Sequence, residues 1–209
     1  MNHLPGSLRQ LIAAVRGLLI FTVIVGIAYP LVIFVIGQAA FRHHANGSLV
    51  KVNGKVVGSS LLCQEFVDAK GHPLPQYFQS RPSNATSGAS NDYGCDSLYS
   101  AATNLGPNNP DLVALIRQRE KAIALLDHVP VTAIPADAVT ASGSGLDPDI
   151  SPANAAIQVA RVAAARHVSP AAIRALVAKY TSGRVIGILG EPVVNVLLLN
   201  IALDQRYPV

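Results

Sequence analysis

The longest uninterrupted run of apolar residues lies near the N-terminus, at residues 17–37. It reads GLLIFTVIVGIAYPLVIFVIG and contains no charged residue, while Arg16 and Arg42 stand on either side. At about 1.5 Å per residue, a helix of this length reaches about 30 Å, which is the thickness of the hydrocarbon core of a bilayer. No comparable run occurs elsewhere. The pattern predicts one transmembrane helix over residues 17–38, preceded by a short tail at residues 1–16.

Two other structures are compatible with this run. A cleaved secretory signal has an apolar region of about 7–15 residues; this run is longer, and residues 37–39 offer only a weak cleavage-like triplet. A buried core helix is usually shorter and has a polar stripe. Tyr29 and Pro30 predict a kink, which lipid tolerates when a neighbour satisfies the freed carbonyl. We therefore expect a retained anchor with a partner contact at Tyr29 and Pro30.

The flanking charges do not by themselves determine which end of the helix lies in the cytoplasm. Arg9 and Arg16 precede the run, and Arg42, Lys51 and Lys55 follow it, so the positive-inside comparison is close to a tie. A long C-terminal part crosses a membrane largely regardless of its charge. A short basic tail before a single span is the arrangement of a signal anchor. We expect a cytoplasmic N-terminus, with residues 39–209 as one extracytoplasmic domain.

Beyond the run, apolar positions alternate or recur at helical spacing and are separated by turn residues. Asn53 and Gly54 stand between two short apolar stretches and predict a type I′ hairpin. Helix-start signals occur at Asn109-Pro110, Ser151-Pro152 and Ser169-Pro170. Short strands are predicted at residues 77–80 and 185–189, and a buried closing helix or strand at 193–203. The fold class is therefore a mixed α+β (α/β) domain attached to one N-terminal transmembrane helix.

Composition narrows the function classes. The chain has 209 residues and a formal net charge of +4, with no acidic residue before Glu65 and no tryptophan. A nucleic-acid-binding protein would cluster Lys and Arg on a face with aromatic residues between them, which this chain does not do. The basic stretch beside the predicted span suits anionic lipid headgroups. The sequence thus predicts contact with membrane lipid and no contact with nucleic acid.

The two cysteines, Cys63 and Cys95, allow two interpretations. Cysteines in an exported domain frequently pair, and the alternative is two buried free thiols. They are too few for a zinc site, and no His, Cys, Asp or Glu cluster has metal-ligand spacing. No nucleophile lies beside an evident base. The sequence therefore predicts no metal site and no catalytic residue, and the chain by itself is not expected to be an enzyme.

Three further positions are candidates for binding. Arg81 follows the predicted strand. We expect it either to contact a partner or ligand, or to pair with a carboxylate and so hold its own loop in place. The turn at Gly143, Ser144 and Gly145 either binds an anion or simply precedes a helix, because a bare G-x-G without a following Lys-Ser/Thr is not a P-loop. Gln158 lies on a polar stripe of the helix that begins at Ser151-Pro152.

These residues belong to a series of motifs that extends along nearly the whole chain. The sequence resembles the C-subunit family of the Kdp high-affinity potassium-transporting P-type ATPases of bacteria and archaea. The family's motifs are matched, in order, by Tyr29-Pro30, residues 45–49 (ANGSL), 77–83 (YFQSRPS), 103–110 (TNLGPNNP), 139–152 (VTASGSGLDPDISP), 158–166 (QVARVAAAR) and 190–204 (GEPVVNVLLLNIALD).

The resemblance implies a non-catalytic subunit of the inner membrane. Its partners would be a channel-like potassium-translocating subunit (KdpA), the P-type ATPase subunit (KdpB) and a small single-span subunit (KdpF). It would stabilise the complex, with its periplasmic domain above the channel-like subunit, and act as a catalytic chaperone for ATP binding. No cofactor would be firmly bound, since the complex handles ATP and potassium. If the domain contacts nucleotide, the positions to test are Gln158, Ser144 and Gly145.

One departure from the family pattern concerns the cysteines. Cys63 stands where the family usually has glycine. The occurrence of Cys63 and Cys95 together in one chain suits a disulfide specific to this lineage. The alternative to the whole interpretation is a membrane-tethered extracytoplasmic enzyme or ligand-binding module unrelated to transport. A third, weaker hypothesis is a nucleotide-binding module.

Overall fold

The structure, a computed structural model, describes residues 5–89 and 93–209. The chain divides into two compact units, Met1–Ser48 and Leu49–Val209. Residues 1–4 of the predicted N-terminal tail lie outside the described residues.

The first unit consists of a long helix, α1 (Gly6–Ala40), and a single turn, α2 (Arg42–Ala45). Helix α1 begins ahead of the apolar run, because residues 6–16 contain no proline and continue the helix toward the N-terminus. Its large apolar side chains are exposed; Leu18 and Phe34, for example, are 67% and 62% accessible. Among the described residues, α1 is the one helix long and apolar enough to cross a membrane.

The predicted kink coincides with a change of helix type. Residues Thr22–Ala28 form a π-helical segment, in which the Tyr29 N–H donates to the carbonyl of Ile24, five residues earlier. In a regular α-helix, the ring of Pro30 would meet the carbonyl of Gly26, and Pro30 has no N–H to donate. π segments accompany such irregularities in helices. Proline thus marks the place where α1 departs from α-helical bonding.

In its described residues, the second unit combines helices with two small sheets. Its helices are α3 (Pro110–Asp127), α4 (Ala136–Val139), α5 (Pro152–Ala165), α6 (Pro170–Lys179) and α7 (Val196–Arg206), with a 3₁₀ turn at Val131–Ala133. Its strands are β1 (Leu49–Val52), β2 (Lys55–Ser59), β3 (Asp149–Ile150), β4 (Thr181–Ser182) and β5 (Val193–Asn195). β1 pairs with β2, and β3, β5 and β4 form an antiparallel sheet in that order.

Local sequence signals explain where these elements begin. Asn53 and Gly54 take φ angles of 51° and 77°, so the β1–β2 hairpin turns as its Asn-Gly pair predicts. The side chains of Asn109, Ser151 and Ser169 accept hydrogen bonds from the first turns of α3, α5 and α6, and a proline follows each cap. The three predicted helix starts are confirmed.

The hydrophobic core lies between helices α5, α6 and α7 and the β3–β5–β4 sheet. Its fully buried members include Phe78, Ile150, Ile173, Leu199 and Leu203. Phe78, the largest of these fully buried side chains, comes from a loop. The predicted closing element at 193–203 is confirmed as buried, with strand β5 running directly into helix α7.

Two predicted strands are wrong. Residues 77–80 lie in irregular structure, because side chains from two helices take the hydrogen bonds that a neighbouring strand would supply. Residues 185–189 form a tight turn closed by a single bridge between Val185 and Leu189. Gly187 in the middle of that run, at φ 80°, turns the chain back on itself before a strand can extend.

Candidate functional site

Residues 75–79 form a turn followed by extended backbone, and side chains supply most of their hydrogen bonds, although the Tyr77 N–H donates to the carbonyl of Leu74 at 3.2 Å. Asn200 on α7 accepts a hydrogen bond from the Phe78 N–H and donates one to the Phe78 carbonyl, both at 2.9 Å. Gln158 on α5 does the same for Gln79, at 2.7 Å and 3.2 Å. Each amide side chain therefore reproduces the two bonds that a paired strand would make. Asn200 and Gln158 are 0% and 3% exposed, so these bonds are made away from water.

Arg161 of α5 and Arg166, which directly follows that helix, complete the binding of this segment. Arg161 donates to the carbonyls of Pro75 and Tyr77, each at 2.8 Å, and its Nε forms a 2.7 Å ion pair with Asp127. Both ion-pair side chains are at least 95% buried. Burial raises the pKa of Asp127, although the Arg161 charge acts in the opposite direction. Asp127 stands at the end of α3, so this pair joins α3, α5 and the segment.

The second arginine, Arg166, is the residue that directly follows α5. It donates to the carbonyls of Gln76 and Tyr207 and forms a 2.7 Å ion pair with Asp204 of α7. Asp204 also accepts a hydrogen bond from the Tyr77 hydroxyl, and the Arg166 guanidinium lies over the Tyr77 ring. The polar stripe of α5 and the polar positions of α7 therefore act together on one loop.

A cleft of about 660 Å³ opens beside this network, a size typical of small-ligand sites. Apolar side chains of α3, such as Ile123 and Leu126, form one wall. Polar side chains, including Arg81, line it from the loops. The Nε of Arg81 is itself buried and has no hydrogen-bond partner among the described residues. The cleft therefore combines an apolar wall with polar side chains.

Glu65 is the most perturbed acid at the cleft. Burial raises the pKa of its carboxyl group from 4.5 to about 7, because desolvation disfavours the charged form. Its Oε1 lies 3.1 Å from the point that a Cβ on Gly94 would occupy, and Gly94 has a φ of 125°. A Cβ at position 94 would therefore clash with the Cβ of Ser83, at 2.9 Å, and would crowd the carboxyl group of Glu65. Nothing in the sequence pattern singles out Glu65, since its burial depends on a loop distant in sequence.

Arg81 and Gln158, two of the sequence-predicted site residues, form hydrogen bonds within the domain. Arg81 forms a 2.9 Å ion pair with Asp147 and donates to the carbonyl of Thr140, so it links its loop to the segment before β3. Gln158 also contacts Asn154 and Arg161, at 3.0 Å and 2.7 Å. A nucleotide at Gln158 would have to replace four internal hydrogen bonds.

The Ser144–Gly145 turn also makes internal contacts. The carbonyl of Ser144 accepts from the Ala101 N–H, and the carbonyl of Gly145 accepts from the hydroxyl of Ser83. Gly145 has a φ of 72°, and a Cβ there would stand 2.5 Å from the carbonyl oxygen of Ala101. Glycine is required because the loops approach so closely. The N–H of Gly145 is bonded to Ser142, so it is not available to an anion.

The remaining sequence-predicted site residues are the two cysteines and the Tyr29-Pro30 pair of α1. Cys63 and Cys95 are joined in a disulfide that closes a separation of 32 residues, and Cys63 is buried. The Sγ of Cys63 lies 3.4 Å from the carbonyl oxygen of Gly145, so the disulfide adjoins the Ser144–Gly145 turn. Tyr29 and Pro30 belong to the first unit, where the Tyr29 side chain is 61% exposed.

The sequence places Arg161 on the polar stripe of Gln158 and requires a hydrogen-bond partner for Asn200 if that residue is buried, but it does not predict that both bind the same loop. Asn154, Gln158 and Arg161 recur at helical spacing on a helix that, after Pro152, otherwise consists of alanine, valine and isoleucine. Such a polar stripe on an apolar helix must find partners when it is buried. In the described parts of the chain, no group of three His, Cys, Asp or Glu side chains is placed to hold a metal ion.

The family model and the individual relatives that match this chain all point to the same protein family. The family model described as "K+-transporting ATPase, c chain" (KdpC) matches residues 11–205. A Sorangium cellulosum protein named potassium-transporting ATPase KdpC subunit is 51% identical over 187 residues, covering 90% of this chain and 93% of that protein. Proteins of the same name from Caulobacter vibrioides and Streptomyces avermitilis are 50% and 42% identical, covering 90% and 98% of this chain and 89% and 97% of their own lengths.

Proposed function

The chain belongs to the KdpC family of K+-transporting ATPase c chains, and from this premise we propose that it is a non-catalytic subunit of an ATP-driven potassium uptake complex. The observation that carries the proposal is the match over residues 11–205, which includes the apolar run of α1 and nearly all of the domain. Family membership decides against a tethered module unrelated to transport. The buried polar groups of α5 and α7 bind the chain's own loop, which suits a subunit whose role is assembly.

We propose that α1 holds the chain in the inner membrane with its N-terminus in the cytoplasm and its second unit in the periplasm. The Cys63–Cys95 disulfide supports this orientation, because disulfides persist in oxidising compartments such as the periplasm. The partners would be the channel-like potassium-translocating subunit, the P-type ATPase subunit and the small single-span subunit. Tyr29 and Pro30, at the end of the π segment, are proposed as a contact with one of them.

We further propose that any effect on ATP binding is exerted through the assembled complex, as a catalytic chaperone, without nucleotide bound to this domain. Two observations support this. Gln158 and Gly145 already have internal hydrogen-bond partners. In the proposed orientation, the domain lies across the bilayer from cytoplasmic ATP. Potassium and ATP would then be handled by the other subunits, with no cofactor firmly bound here.

Assembly is tested by tagging the chain, extracting membranes with detergent and identifying co-purifying proteins. We expect a P-type ATPase to be retained, and extraction of the chain without one would contradict the proposal. Val25→Lys places a charge in the middle of the span, at a cost of about 2.5–3.5 kcal/mol on insertion scales, and should abolish assembly. Leu11→Lys, outside the apolar run, is the matched control and should assemble normally.

Orientation is tested separately with Leu98→Cys, because Leu98 is 86% exposed and the native cysteines are paired. A membrane-impermeant maleimide should label this variant in intact spheroplasts. Labelling only after the membrane is permeabilised would place the domain in the cytoplasm and refute the orientation.

A further inference from the structure

The cleft beside the 75–79 segment contains an arginine that has no acidic partner. Arg119 of α3 lines this cleft and donates from Nη1 to the carbonyl of Val139 at 2.8 Å. None of the ion pairs formed within residues 5–89 and 93–209 includes Arg119. Burial lowers the pKa of its guanidinium group, because desolvation disfavours a charged form that no carboxylate compensates. The domain therefore holds a cation that a bound anion would stabilise.

The unused edge of Arg119 has the geometry that binds a carboxylate. Its Nε and Nη2 make no hydrogen bond to the residues that the structure describes, and neither is among the buried atoms that lack a partner, so both reach solvent. These two donors form one side of the guanidinium fork and offer two parallel N–H bonds to the two oxygens of a carboxylate. A single unpaired cation suits a singly charged carboxylate better than a phosphate of higher charge.

The other ionisable groups of the cleft leave the charge of Arg119 unmatched. Arg81 and Arg119 donate to consecutive backbone carbonyls, so both guanidinium groups lie at one end of the cleft. Asp147 pairs with Arg81, and the carboxylate of Asp127 pairs with an arginine of α5. Glu65 forms no ion pair among the described residues, and burial raises its pKa to about 7, so it carries only part of a charge at neutral pH. The cleft thus lacks one negative charge.

The helical wall beside Arg119 supplies an apolar surface for the rest of a ligand. Ala122, Ile123 and Leu126 follow Arg119 by three, four and seven positions and line the same cleft. Residues at these spacings share one face of a helix. Seven residues of α-helix rise by about 10 Å, which is close to the extended length of octanoate. The volume of about 660 Å³ is also that of a small-molecule site.

We propose that this cleft binds a small aliphatic carboxylate, with its two oxygens on the Nε–Nη2 edge of Arg119 and its alkyl chain along Ala122, Ile123 and Leu126. Both features are needed to define the ligand class. An uncharged apolar molecule would leave the cation unmatched, and a short anion would leave the apolar wall uncovered. The site goes beyond the proposed role in potassium uptake and does not depend on the orientation of the chain.

Isothermal titration calorimetry of the full chain in detergent tests the site, with octanoate as the probe. Titration of octanoate into detergent alone measures its uptake by micelles, which is subtracted. We expect saturable binding of one octanoate per chain. Acetate lacks the alkyl chain and octanamide lacks the charge, so each should bind more weakly than octanoate by about tenfold or more.

Variants of Arg119 identify the group that binds the carboxylate. Arg119→Gln keeps a donor for the Val139 carbonyl but removes the charge, and should weaken octanoate binding by about tenfold or more. Arg119→Lys keeps the charge without the two-donor edge and should give a smaller loss. Arg117→Gln is the matched control, because Arg117 is exposed on the same helix and does not line the cleft; it should bind octanoate like the parent. Circular dichroism checks that each variant is folded.

Several results would overturn the proposal. They include no saturable binding of octanoate to the folded parent, and equal affinities of the parent and the folded Arg119→Gln variant. Octanamide that binds as tightly as octanoate would reduce the cleft to an apolar surface. Displacement of octanoate by inorganic phosphate would assign the cleft to a phosphorylated ligand, and tighter binding of N-acetyl-leucyl-leucine would assign it to a polypeptide terminus. None of these results affects co-purification with a P-type ATPase, which tests the proposed function separately.

Discussion

Replacement of Gln158 by leucine tests whether this residue supports the fold or binds a ligand. Leucine has nearly the same size but no polar atoms. The change removes the acceptor of the Gln79 N–H and of Arg161 Nη2, both at 2.7 Å, and the donor to the Gln79 carbonyl and to Asn154. The side chain is 3% exposed, so water cannot readily replace these partners.

The expected cost follows from these four bonds. A buried donor left without an acceptor costs about 1–3 kcal/mol, and a hydrogen bond to a charged group contributes about 1.5–3 kcal/mol. The better burial of leucine offsets part of the loss. We therefore expect Gln158→Leu to lower the free energy of unfolding by about 3–5 kcal/mol. For a domain of this size, that corresponds to a fall in melting temperature of roughly 10 °C.

The assay is the thermal unfolding of the full chain in detergent, followed by circular dichroism. Gln118→Leu is the matched control, because Gln118 lies on an exposed face of α3 and surface substitutions usually change stability by less than about 0.5 kcal/mol. Equal melting temperatures for the two variants would refute the structural role of Gln158.

Adding ATP in the same assay distinguishes a structural role of Gln158 from a role in nucleotide binding. A ligand that binds the folded state raises the melting temperature as its concentration exceeds its dissociation constant. We expect no ATP-dependent rise for the parent chain alone. A rise in the parent that Gln158→Leu abolishes would instead assign Gln158 to nucleotide.

Three further predictions concern stability. Because burial raises the folded pKa of Glu65 from 4.5 to about 7, stability should fall as pH rises through that interval. Glu65→Gln should match the parent below the interval and exceed it by about 2–3 kcal/mol above it; parallel melting curves at all pH values would contradict this. Arg161→Met should cost about 3–5 kcal/mol by leaving a buried carboxylate unpaired, whereas exposed Arg174→Met should melt like the parent. Reducing the disulfide, which closes 32 residues, should cost about 3–4 kcal/mol; an unchanged melting temperature under reductant would count against the bond.

The elements whose signals are local were predictable from the sequence. The helix starts at Ser151 and Ser169 depend on a cap and a following proline, and the turn at Asn53 and Gly54 depends on its own two residues. The long apolar helix depends only on composition. In each case the determining contacts lie within a few positions along the chain, so that the pattern contains the information.

The failed strand prediction at residues 77–80 has a different cause. Residues 77–80 have the composition of a strand, yet their partners are Asn200 and Gln158, which are far away in sequence. Pattern reasoning cannot tell a strand that pairs with a strand from an extended segment bound by side chains. The Gln158 and Gly145 positions were attractive as ligand contacts for the same reason. Their polar groups have partners that only the tertiary structure supplies.

The binding of Phe78 and Gln79 by Asn200 and Gln158 has a consequence for hydrogen exchange. Their amide protons are bonded to side chains from two separate helices, and they exchange with solvent only when α5 or α7 moves away. In deuterium-uptake measurements, this stretch of irregular backbone should therefore exchange as slowly as the core helices, although loops of this composition normally exchange within the shortest labelling times.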